Sequence, residues 1–182
     1  MTAWLRIGRW LDRLGDVFVV VSSVMLLLML LLLGVEIIDR AVFRSSTQIA
    51  DEYSGYLFTW MTMCCFIYAQ RTDRFLRVDS LRTRLAPRSR AFLDGVASLL
   101  AAALTAVLLF ATWSTFAGSL QFGSVSIQPS QTPLAVPQAI MPIGFALLTI
   151  AFLHSGITSM LQAFGKLPLP EAARPATLPL AE

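Results

Sequence analysis

From Gly95 to Gly165 the chain runs for 71 residues without a single Asp, Glu, Lys or Arg. A soluble domain carries charge on about a quarter of its residues, so a stretch of this kind belongs in lipid. At about 20 apolar residues per helical crossing it is too long for one transmembrane helix and long enough for two. The break inside it reads "GSLQFGSVSIQPSQTPLAVP", Gly118 to Pro137, which gathers the Gly, Ser, Gln and Pro residues that end helices and make turns. Two spans are therefore expected near residues 95–118 and 138–162.

The first half of the chain adds two more. Val17 to Val35 is a run of 19 residues without a charge, and Tyr53 to Gln70 is a second run of 18, which places spans near residues 17–38 and 51–71. With 56% hydrophobic and 14% charged residues over 182 positions, the expected class is an all-α integral membrane protein. Residues 1–165 form its four-helix transmembrane domain. The tail 166–182, "KLPLPEAARPATLPLAE", holds four of the nine prolines and is expected to be a flexible cytoplasmic segment without a packed element. A cleaved signal peptide competes for the first span, because Arg6, Arg9 and Arg13 precede it. Its apolar core is too long for that, and no small-residue cleavage site follows Leu33, so a retained anchor is expected.

Orientation follows from the basic residues that flank the spans. Twelve of the fourteen Lys and Arg lie in the amino terminus, the loop after Gln70 and the tail, whereas the segment from Glu36 to Glu52 has only Arg40 and Arg44. Both termini are thus expected in the cytoplasm, as four crossings require. Ahead of the first span, Trp4, Ile7, Leu11 and Leu14 recur at steps of three and four between arginines and aspartates. That is the pattern of an amphipathic helix in the membrane interface, with Trp4 and Trp10 as headgroup anchors, although the same pattern also suits a simple extension of the first span. In the central loop, a short helix capped by Asp79 or Ser80 would end before Pro87.

Little in the sequence supports chemistry within the membrane. Ionisable residues inside a span are the usual mark of an ion or substrate path. His154 is the one such residue deep in a span, and a single His neither ligates haem from two sides nor builds a metal site; helix packing is its simpler role. The vicinal Cys64 and Cys65 lie in apolar surroundings that disfavour thiolates, which argues against a redox enzyme. No catalytic, cofactor or metal residues are expected, and the chain is not expected to be an enzyme. Polar groups gather instead in collars. Glu36, Asp39 and Arg40 leave span one, and Asp51 and Glu52 open span two, where the helix dipole favours negative charge. Glu52 could also pair with Arg40 or with a partner chain. Tyr56, Trp60 and Cys64 recur at steps of four, a face suited to packing against a larger partner.

The segment from Arg40 to Asp79 resembles the small membrane subunit of tripartite ATP-independent periplasmic (TRAP) transporters. The residues that carry the likeness are Arg40 and Phe43, the acidic pair Asp51 and Glu52, Tyr56 and Trp60, then Arg71, Phe75, Leu76, Val78 and Asp79. Upstream of span four, "TPLAVPQAIMPIGFALL" is similar to the family's Pro-rich lead-in to its last helix, with Pro133, Pro137, Pro142 and Gly144 in place. Phe75 stands where the family usually has His, and Cys64 and Cys65 where a Gly is common.

The resemblance implies a multi-pass protein of the bacterial inner membrane with no cofactor. Its partners would be a large TRAP membrane subunit, a periplasmic substrate-binding protein and the lipid bilayer, with no nucleic acid. It would act as a scaffold that anchors the large subunit and helps dock the binding protein during sodium-driven uptake of an organic anion of the carboxylate class. Under that reading Arg40, Phe43, Asp51 and Glu52 form the docking rim, Tyr56 and Trp60 face the large subunit, and Arg71, Arg77 and Asp79 form the cytoplasmic collar. The alternative is a stand-alone four-helix carrier or channel.

Overall fold

A computed structural model describes residues 2–43, 49–72 and 85–168. It contains α1 (Thr2–Phe43), α2 (Ile49–Arg71), α3 (Pro87–Phe122), the single turn α4 (Ala135–Gln138) and α5 (Ile140–Ala163). Among the described residues the one β-type pairing is an isolated bridge between Val125 and Pro133, inside the connection from α3 to α4. Three helical stretches are long and apolar enough to cross a membrane, Arg6–Val42, Pro87–Phe122 and Ala135–Ala163. The 23-residue α2 carries its charges at its two ends, Asp51 and Glu52 in the first turn and Arg71 in the last. At 1.5 Å per residue it rises about 34 Å.

The helices overrun their apolar windows because capping, rather than hydropathy, ends a helix. Pro87 opens α3 at a position where its missing N–H is not needed. Gly123 closes that helix in the left-handed region, φ 60°, and both its N–H and that of Ser124 reach the carbonyl of Ser119. Likewise α1 is unbroken over 42 residues, a rise of about 63 Å. The amphipathic segment with Trp4 and Trp10 is therefore not set off as a separate element; it continues the apolar stretch directly. The short helix expected around Asp79, the collar residues Arg77 and Asp79, and most of the proline-rich tail lie outside the described residues.

Packing follows two hairpins. Helix α1 lies along α2, α3 lies along α5, and the pairs join where α2 meets α5. The α3–α5 seam is built from small side chains: Ala91, Gly95, Ser98, Ala102 and Thr105 are the buried residues of α3, and Ala151 and Gly156 are among those of α5. Small residues let helix backbones approach, which is how helices associate where lipid removes the hydrophobic drive. Thr149 Oγ1 donates to Thr105 Oγ1 at 3.0 Å across this seam. Between the hairpins, Gly144 lies under Met63 of α2. Between α1 and α2, the buried Ser22 hydroxyl contacts the Met61 carbonyl at 3.2 Å.

A Cβ at Gly156 would sit 2.9 Å from Leu99 Cγ and 3.3 Å from the Leu99 backbone nitrogen. Gly156→Val is therefore expected to destabilise the α3–α5 hairpin by about 1–3 kcal/mol, the range for overpacking. Reversible unfolding in mixed micelles measures this, and Leu99→Ala in the same chain should recover part of the loss.

Candidate functional site

Two polar clusters hold the helices together, one at each end of α2. At the first, the Arg71 guanidinium joins three helices. Its Nη2 and Nε lie 2.6 and 2.7 Å from Asp12 Oδ1 on α1, and Nη2 also donates to the Gly8 carbonyl at 3.3 Å. Its Nη1 lies 3.4 Å from His154 Nδ1 on α5. A guanidinium only donates, so His154 Nδ1 is the acceptor in this contact. The Arg71 side chain is 16% exposed against 53% for Asp12, so the cation is the more enclosed partner. Gly8 makes the meeting possible: a Cβ there would lie 3.3 Å from the imidazole.

At the other end, Glu52 is 8% exposed in the first turn of α2. The Tyr56 hydroxyl donates to its Oε1 at 2.6 Å, and the Ser130 hydroxyl donates to Oε2. The Ser126 hydroxyl is a third side-chain partner. Thr132 links the cluster outward, with its hydroxyl 3.0 Å from both Ser130 Oγ and Tyr53 Oη. Hydroxyls converging on both oxygens suit an ionised carboxylate, which only accepts. The result staples the α3–α4 connection onto α2. Beside it Arg40 bridges the buried Glu36 at 2.8 Å and Asp51 at 3.2 Å. The 19 residues from Glu52 to Arg71 rise about 28 Å, close to the thickness of a bilayer's hydrocarbon core of about 30 Å.

The expected pairing of Glu52 with Arg40 does not occur. Arg40 is taken by Glu36 and Asp51, four residues before it and eleven after it, while the oxygens of Glu52 are filled by hydroxyls. Phe43 closes α1. Tyr56 and Trp60, expected to face a partner, both have hydrogen bonds within the chain: Tyr56 to Glu52, and Trp60 Nε1 to the Pro137 carbonyl at 3.2 Å. Trp4 stands near the start of α1, and Trp10 is half exposed. His154 belongs to the Arg71 cluster at the end of α2 and is not isolated deep in a span. Cys64 is buried, Cys65 partly so, and both are free thiols.

A cavity of about 410 Å³ opens beside Glu52, walled by Tyr56, Gln138 and Met141 among others. Among the described residues no cluster of His, Cys, Asp and Glu could hold a metal ion. Sequence reasoning did not single out Asp12, Ser126 or Ser130. Asp12 carried a weak signal as an acid set between Arg9 and Arg13, but the hydroxyls of "GSVSIQPSQT" look like any turn.

Among the described residues, charge gathers toward the two ends of α2 and small residues close the α3–α5 seam. The family model for the DctQ component of tripartite ATP-independent periplasmic transporters matches residues 29–161, from the middle of α1 almost to the end of α5. The chain belongs to this family, a transporter component and not a family of enzymes. No curated protein and no solved structure is significantly similar to it.

The Arg71 cluster should behave as one unit. Asp12→Asn and Arg71→Gln are each expected to destabilise the chain, and the double variant to lose less than their sum, with a coupling of about 1 kcal/mol in a double-mutant cycle. Arg71→Lys should not restore stability, because an ammonium cannot span Asp12, Gly8 and His154 with a planar fork. Strict additivity would show that the contacts carry no energy.

Proposed function

We propose that the chain is the fixed scaffold of its tripartite transporter. It anchors the large transport subunit in the inner membrane and helps dock a periplasmic substrate-binding protein, during sodium-driven uptake of an organic anion of the carboxylate class. The observation that carries this reading is the family match over residues 29–161. The distribution of charge supports it. No Asp, Glu, Lys or Arg occurs between Glu52 and Arg71 or between Gly95 and Gly165, so the chain lacks the intramembrane charges that ion and substrate paths commonly use. A scaffold needs none.

In this reading α1, α2, α3 and α5 cross the membrane. The Arg71 end is cytoplasmic, because the loop after it and the amino terminus hold most of the basic residues. The Glu52 end is periplasmic, where Arg40, Asp51 and Phe43 form the rim facing the other components. Glu52 serves that rim from beneath, through the loop it holds.

Affinity purification of the tagged chain from its native membrane in mild detergent tests the proposal. A large polytopic partner is expected in near-equal amount; a chain that purifies alone, or only with itself, would sink the scaffold reading and favour an independent carrier. Arg40→Glu places a third acid beside Glu36 and Asp51 and is expected to reduce uptake by the assembled transporter without preventing membrane insertion. Uptake equal to wild type would remove Arg40 from the rim.

A further inference from the structure

The connection from Gly123 to Leu134 contains no charged residue, yet it is held firmly. Ser126 N–H donates to the Thr132 carbonyl, Leu134 N–H to the Ser124 carbonyl, and Glu52 fixes the Ser130 hydroxyl. Ser126 is buried against this cluster, while its neighbours Val125 and Ile127 are turned out, Ile127 fully exposed. Phe122, 80% exposed, and Leu120 continue the apolar rim along the end of α3, and Val136 on α4 extends it. Nothing in the loop's conformation hides these side chains, and hydrogen bonds keep them displayed.

The helix register says at what depth they are displayed. Leu99 faces Gly156 and Thr105 bonds Thr149, so residues near 101 on α3 lie level with His154 and the Arg71 cluster. Phe122 follows 21 residues later, a rise of about 31 Å. That distance again matches the hydrocarbon thickness of about 30 Å. The rim thus falls at the outer boundary between acyl chains and headgroups, where apolar and aromatic side chains are stable. The rim itself carries no charge, and the exposed Gln121, Gln128 and Gln131 that lie between its apolar side chains supply uncharged polar groups that a headgroup boundary accommodates. The rim also continues into the exposed apolar face of α3, through Trp113, without a polar gap of ionised residues.

We infer that the α3–α4 connection is an interfacial anchor: Phe122, Val125 and Ile127 seat in the periplasmic headgroup–acyl boundary, with Glu52 as the positioning residue that holds the loop at that depth. The inference rests on the four-crossing reading above, and adds to it a lipid contact that fixes the depth of the α3–α5 hairpin.

The test places an environment-sensitive NBD fluorophore on Ile127→Cys, in the full chain with Cys64→Ala and Cys65→Ala, reconstituted in phosphatidylcholine–phosphatidylethanolamine liposomes. Quenchers are lipids spin-labelled near the headgroup or near the acyl terminus, and aqueous iodide. A control probe on Leu104→Cys, in the middle of α3, should be quenched by the deep label. The expected result at Ile127 is strong quenching by the shallow lipid label and weak quenching by iodide. Glu52→Ala, and the milder Ser130→Ala, should shift the emission to the red and increase iodide quenching while Leu104 stays unchanged. Iodide quenching of Ile127 in the otherwise wild-type chain would overturn the anchor. So would a probe shielded from iodide only when the copurifying partner is present, since protein would then cover the rim. An Ile127 probe that ignores both Glu52→Ala and Ser130→Ala would remove the positioning role. Failure of the deep label to reach Leu104 would overturn the four-crossing reading itself, and the anchor with it.

Discussion

A guanidinium that must be satisfied where three helices converge is the constraint on which the rest depends. Arg71 reaches Asp12 and Gly8 on α1 and His154 on α5, so one side chain fixes the register of α2 against both neighbours. With that level set, the length of α2 fixes the other. Nineteen residues before Arg71, Glu52 stands at the other end of α2, and between the two levels α2 has no charge. Arginine suits the first level because its donors spread in a plane toward acceptors on different helices. A carboxylate suits the second because hydroxyls from a turn converge on it.

The two clusters divide the labour of holding the bundle. The Arg71 cluster connects helix to helix. The Glu52 cluster connects a helix to a loop, and its donors come from Tyr56 one turn on and from Ser130 far along the chain. Trp60 adds a third tie, its indole N–H on the Pro137 carbonyl, at a point where α4 gives way to α5. Aromatic residues at steps of four along α2 therefore stitch the chain to itself.

This is also where the sequence was least legible. The helices, their order and the turn-rich break before α4 could be read from charge-free runs and from Gly and Pro, because hydropathy and capping are local properties. The acidic first turn of α2 was readable too, through the dipole. Which acid pairs with which base was not. Arg40 lies near Glu36, Asp51 and Glu52 alike, and only the approach of the Ser126–Thr132 turn decides that Glu52 is claimed by hydroxyls. His154 looked isolated because its partner Arg71 is 83 residues away. The amphipathic amino terminus read as a separate surface helix because periodicity identifies a face, but it does not reveal whether the helix pauses before the apolar run.

The distribution of side-chain size carries the remaining argument. Within the α3–α5 seam the buried residues of α3 are Ala, Gly, Ser and Thr, whereas Leu100, Leu104, Val107 and Phe110 point outward. A soluble protein would place the large apolar groups inside, because water rewards their burial. Lipid gives no such reward, so close backbone approach and dispersion hold the seam, and bulky side chains are left on the surface. The bundle's own cohesion therefore does not use its large apolar faces. Those on α1 and α3 are free for lipid or for a partner's helices, and either can occupy them without competing with the contacts that hold this chain together.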